Sequence, residues 1–131
     1  MRVNVDIETA LYNKLTAASY HASAHAIPSS LGNNLPHIHV VRTGGYTSDM
    51  VIEYHSMDFD VYAGNDADAM TTACNLCGWV RGLDGVALDT VCYDAEIVTL
   101  PYPNPDPRHP NISRATFKAQ ILTRTKGASY A

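Results

Sequence analysis

Basic side chains are scarce in this sequence, and so are aromatics and cysteines. Nine Lys and Arg stand against 13 Asp and Glu in 131 residues, a formal charge of −4. A chain that grips a phosphate backbone regardless of base sequence needs a dense cationic face, and this balance argues against one. No run of about 18 apolar residues occurs, so no segment reads as a membrane span. Met1 to Glu8 carry acids where a secretory leader has a basic patch and an apolar stretch, so none is expected. Three cysteines are an odd number and too few for a disulfide scaffold, which predicts a soluble, reduced chain. Catalytic signatures are missing too. There is no Gly-rich phosphate loop followed by lysine, no Gly-x-Ser-x-Gly elbow, and no basic stripe interleaved with aromatics.

What is present suits one ordinary folded domain over residues 1–131, with a flexible tail from about residue 126. With 46% hydrophobic and 17% charged residues, the chain can bury a core and is not disordered. Ile7, Leu11, Leu15 and Ala18 recur every three or four residues, the spacing of one helix stripe, and Asn4 or Asp6 can cap its start. Pro28 and the turn-rich stretch Ser29 to Asn34 predict that this helix ends near Ser23. A strand is expected over His37 to Arg42, ended by Gly44-Gly45. A second is expected over Val51 to Tyr62, where Met57, Phe59 and Val61 alternate with Ser56, Asp58, Asp60 and Tyr62. The two make a hairpin around Gly44 to Asp49.

Asn65 is a helix N-cap with Asp68 three residues on, and Met70, Ala73, Cys74, Cys77 and Val80 form the apolar stripe that follows. Gly82 and Gly85 close that helix. Leu88 to Leu100 reads as a strand with Val91, Tyr93, Ala95 and Ile97 on one face. Five of the seven prolines lie between residues 101 and 110, a stiff stretch that cannot be a central strand. Ala115, Phe117, Ala119 and Ile121 then alternate with polar residues in a last strand, with Phe117 in the core. The order helix-strand-strand-helix-strand-strand predicts an α+β fold, a mostly antiparallel four-stranded sheet carrying two helices.

Candidate chemistry is thin. Cys74-Asn75-Leu76-Cys77 has the spacing of a zinc or thiol-exchange pair, but it falls mid-helix on the apolar stripe, so both thiols read as packing. His21 and His25 are four apart, a metal-clamping spacing on a helix, and His37 and His39 share one strand face. Asp58 and Asp60 share another, as acid–base pairs do, yet a solvated face explains them. Asn111-Ile112-Ser113 is a formal glycosylation acceptor without a secretory context. No catalytic, metal or cofactor site is assembled, and the expectation is a protein that is not an enzyme.

Several stretches together resemble a family. Leu35-Pro36-His37-Ile38-His39-Val40-Val41-Arg42-Thr43-Gly44-Gly45 resembles the leucine-proline, strand, arginine-x-glycine-glycine opening of tail terminator proteins of long-tailed actinobacteriophages. Phe59-Asp60-Val61-Tyr62-Ala63 before the capped helix from Asn65, Leu83-Asp84-Gly85 after it, and Tyr102-Pro103-Asn104-Pro105-Asp106-Pro107 before the last strand follow the same order. Cys74, Cys77 and Trp79 in the second helix, and Leu100-Pro101-Tyr102, depart from the family pattern.

The resemblance implies a virion structural protein of the tail and neck, assembled in the host cytoplasm. It implies a homo-hexameric ring that ends tail-tube polymerisation and meets the tail tube protein and the head-completion or connector protein. DNA would only pass through the lumen; no membrane and no cofactor are implied. The expected contact carriers are Gly44, Gly45 and Tyr46 on the hairpin, and Tyr102, Pro103, Pro105, Asp106 and Pro107 on the proline segment. Both are irregular and flank strands whose faces are committed to the core. A head-closure or tube-like subunit, or a small metal- or thiol-dependent enzyme, are the alternatives.

Overall fold

The computed structural model describes residues 1–127. In chain order it contains β1 (Arg2–Val3), α1 (Ile7–Ala17), β2 (His21–Ala24), β3 (His37–Ser48), β4 (Ile52–Ala63), α2 (Asp66–Arg81), β5 (Cys92–Pro103), β6 (Ser113–Arg124) and β7 (Lys126–Gly127). The fold is α+β, with a sheet of five strands in the order β2-β3-β4-β6-β5. All pairings in it are antiparallel except β2 with β3.

Local chemistry explains both helix starts. The Asp6 carboxylate accepts from the Thr9 backbone N–H and hydroxyl (3.3 and 2.8 Å), and Asn65 Oδ1 accepts from the Asp68 N–H (2.8 Å). Each cap satisfies a donor that the first turn leaves free. Asp66 and Asp68 also sit at the positive end of the α2 dipole. Both helices lie on one sheet face, α1 over β2 and β3, α2 over β4, β5 and β6. Ile7, Leu11 and Leu15 from α1, and Ala73, Leu76 and Val80 from α2, meet Ile38, Val40, Met57, Val61, Phe117 and Ile121. Phe59 and Phe117 are register partners on adjacent strands, stacked with centroids 4.9 Å apart. Burying each such side chain contributes about 1.5–3 kcal/mol.

Several sequence expectations are corrected. The sheet has a fifth strand, because His21–Ala24 pairs in parallel with the start of β3. Helix α1 stops at Ala17, where Ser19 turns left-handed (φ 70°), so His21 and His25 do not share a helix. β3 does not end at Gly44-Gly45; a bulge between Arg42 and Gly44 absorbs the irregularity and pairing runs on to Ser48. The hairpin instead reverses at Asp49 and Met50, both with positive φ.

On α2, Ala69 and Leu76 complete the buried stripe, while Cys74 is exposed and only Cys77 is buried. Irregular pairing between Cys92 and Asp94 shifts the β5 register, so Cys92 and Ala95 face the core and Val91 and Tyr93 are exposed. Lys126 and Gly127, expected in a loose tail, pair with Val3 and Arg2 in a separate two-stranded ribbon. The Arg2 guanidinium reaches Thr125 beside it. The rest of that tail, residues 128–131, lies outside the described residues. The prolines keep to the expected place: β5 is an edge strand and carries Pro101 and Pro103 where no further ladder is required.

Candidate functional site: the two ends of the sheet

The two groups of expected contact residues are not brought together. Tyr102, Pro103, Pro105, Asp106 and Pro107 lie at the end of the sheet where β3 starts and β4 finishes. Gly44, Gly45 and Tyr46 lie on the arm that β3 and β4 extend the other way.

The proline end is built around one buried carboxylate. Asp106 Oδ2 accepts from the Tyr62 hydroxyl (2.9 Å) and faces His109 Nδ1 at 3.1 Å, while Oδ1 accepts from the Arg108 backbone N–H (3.0 Å). Arg114 donates to the carbonyls of Asn104 and Pro105 (2.6 and 3.4 Å) and to the Tyr62 hydroxyl (3.3 Å), with its guanidinium over the Tyr62 ring. Burial alone would raise the Asp106 pKa. The hydrogen bonds from His109, Arg108 and Tyr62, and the Arg114 charge, outweigh it and hold the carboxyl well below the ordinary carboxylate range. Asp106 therefore supports the segment from inside, and Pro103, Pro105 and Pro107 are its exposed surface.

Beside this loop, the sheet face away from the helices carries a second polar cluster. Ser23 Oγ lies 2.8 Å from His37 Nε2 and 2.7 Å from His39 Nδ1, all three residues buried. One hydroxyl has one proton to donate, so it donates to one ring nitrogen and accepts from the other. Burial, then the His39 and His21 charges, bring the His37 pKa down to about 4; burial lowers His39 as well. Asp60 and Asp58 share that face and are occupied: Asp60 accepts from Thr116 Oγ1 (2.7 Å) and Asp58 pairs with Lys118 Nζ (2.9 Å). Among the described residues, no three His, Cys, Asp or Glu side chains group as metal ligands.

At the other end, Gly45 is required by close approach: a Cβ there would overlap the Tyr54 carbonyl oxygen, and its φ is 143°. Tyr46, 63% exposed, stacks on Tyr54 with centroids 4.5 Å apart. At the base of the arm, a cleft of about 250 Å³ is lined by Arg42, Gly44, Gly45, Tyr46, Glu53 and His55, among others. Glu53 is 2% exposed. Its Oε2 accepts from the Val5 N–H (3.1 Å) and the Thr123 hydroxyl (3.5 Å) and lies 3.4 Å from His55 Nε2. The His55 Nε2 hydrogen bond goes instead to the Thr123 hydroxyl (2.9 Å), which in turn donates to Glu53, and burial, then the nearby Arg42 charge, push the His55 pKa down to about 4.

Sequence reasoning overlooked Glu53 and His55. They continue, at period two, the face of Met57, Phe59 and Val61, and polar residues in phase with a core face are the signal of a buried polar cluster. Ser23 left no such signal, because its partners come from another strand. Of the cysteines, Cys77 and Cys92 are buried and burial raises both thiols, Cys92 to about 11, so neither is a ready thiolate. Compared with known proteins, the chain matches no family model, and no curated protein matches it significantly.

Proposed function

We propose that the chain is a tail terminator subunit: a virion structural protein that closes into a six-membered ring, stops tail-tube growth and presents the surface that joins the capsid connector. The observation that carries this reading is the placement of its two irregular surface segments at opposite ends of one sheet. A self-matching two-fold contact uses one patch twice, whereas a head-to-tail contact needs two different patches on one subunit. The bulged hairpin arm and the proline segment are two such patches: by register Tyr46 is level with Tyr54 and Tyr102 with Asp60, about 20 Å apart along the strands. Helices cover one sheet face, and internal hydrogen bonds hold the proline segment in shape, so binding it costs little ordering. The order of sequence motifs along the chain supports the same reading.

A net acidic subunit also suits a conduit that lets DNA pass without gripping it. Cryo-EM of the virion tests the proposal, with six copies expected between the tail tube and the connector. Phage lacking the protein should make tails that overrun their length or fail to join heads. Normal tails joined normally to heads without it would overturn the reading.

A further inference from the structure

The most exposed large apolar side chain among the described residues is Met50, 79% exposed at the tip of the hairpin arm, with Val51 beside it. The tip is a tight turn closed by the Val51 N–H donating to the Ser48 carbonyl (3.3 Å), and Asp49 and Met50 both hold positive φ (54° and 61°). A turn with two left-handed centres favours glycine at the second of them. A methionine there strains the backbone and buries almost nothing in its own subunit.

The helix side of the molecule carries the opposite feature. A groove of about 440 Å³ runs between α1 and the end of α2, lined by Lys14, Ala17, Ala18, Trp79, Leu83 and Val86, among others. All of these but Lys14 are apolar. Trp79 is half-buried, its ring edge-on to Tyr20. The ion pairs of the described residues leave out both Lys14 and Asp49, the exposed acid beside Met50.

We infer that the Met50 tip docks in this groove on a second copy of the chain, with Asp49 meeting Lys14. Shape, polarity and charge agree. A protruding apolar turn meets an open apolar groove, a thioether packs well against an aromatic ring such as Trp79, and the acid beside the tip finds the base at the groove. The occupant is a second copy because the chain itself supplies both halves of the match. One tip in one groove is a small contact, so the association is weak and depends on concentration. It joins two different patches, head to tail, and stands whether or not six copies close a ring.

Sedimentation of the full-length chain from about 1 µM to about 1 mM tests it, read together with tryptophan emission. Association and a blue shift should rise together, because Trp79, the only tryptophan in the sequence, then leaves water. Met50→Gly should weaken association by about tenfold or more while leaving the melting temperature level or higher, since glycine suits the turn. Ala17→Leu, an exposed change that fills the groove, should weaken it as much. Lys14→Glu should weaken it too, and adding Asp49→Lys to the same chain should restore it, a rescue that a purely structural role for either residue does not give.

A chain that stays monomeric throughout that range overturns the second copy as occupant. Association indifferent to Met50→Gly, or without the emission shift, overturns the tip-in-groove contact. Virions without six copies at the neck would refute the ring and leave this contact standing.

Discussion

The two ends of the sheet solve opposite problems. At the proline end the backbone is irregular, yet Asp106, Tyr62, Arg114 and His109 satisfy one another and the loop is fastened down. At the hairpin end the backbone pairing is regular out to Ser48 and Ile52, yet Tyr46 and Met50 stand in solvent. Regular secondary structure is thus no guide to which region is finished. What separates them is where the side chains of each end find partners.

Replacing Asp106 strikes the finished end hardest. Asp106→Ala leaves Arg114, Tyr62 and His109 facing an empty acceptor, and should cost about 3–5 kcal/mol in urea unfolding. A loss below about 1 kcal/mol would show that the loop is a passive connection. Acid should reach both ends, through His37 at one and His55 at the other. Free imidazole titrates near 6.5, and each of these groups holds off protonation until about 4. Between those values the unfolded chain binds protons that the native state refuses. Stability should therefore fall as pH drops from about 6.5 to 4, by roughly 3 kcal/mol for each group, and be level above that window. His55→Gln should remove the hairpin-end share; an unchanged pH profile in that variant would refute its assignment.

Smaller effects sharpen the contrast within the arm. Gly45→Ala should cost about 1–3 kcal/mol more than Gly44→Ala: both backbones (φ 143° and 158°) strain an L side chain, but only at Gly45 would the Cβ overlap the Tyr54 carbonyl. Equal melting temperatures for the two variants would contradict the close approach. Tyr46→Ala should cost about 1 kcal/mol, the value of one exposed aromatic pair, and Cys74→Ser less than about 0.5 kcal/mol.

Local patterns were legible wherever one residue's chemistry decided the outcome. Asn65 and Asp6 cap because their side chains reach donors three residues on, and that reach is set by the chain alone. Met57, Phe59, Val61 and Phe117 are buried because strict alternation leaves an apolar strand face no other place. The proline stretch went to an edge because proline cannot donate to a neighbouring ladder.

Partners distant in sequence were not legible. His21–Ala24 is a strand only because β3 lies beside it and Ser23 meets His37 and His39 across the pair. Cys74 left the buried stripe because the helix presents Ala69 and Leu76 to the sheet instead, a rotation of some tens of degrees that spacing alone does not settle. Gly44-Gly45 reads as a stop, yet β4 supplies a pairing partner and the bulge lets the strand continue. Both candidate ends follow this division. The sequence by itself marked the Gly-Gly-Tyr and proline segments as irregular. Only tertiary structure placed them at opposite ends of one sheet, brought Tyr62 to Asp106 and set Val5 and Thr123 against Glu53, because those partners come from residues far away along the chain.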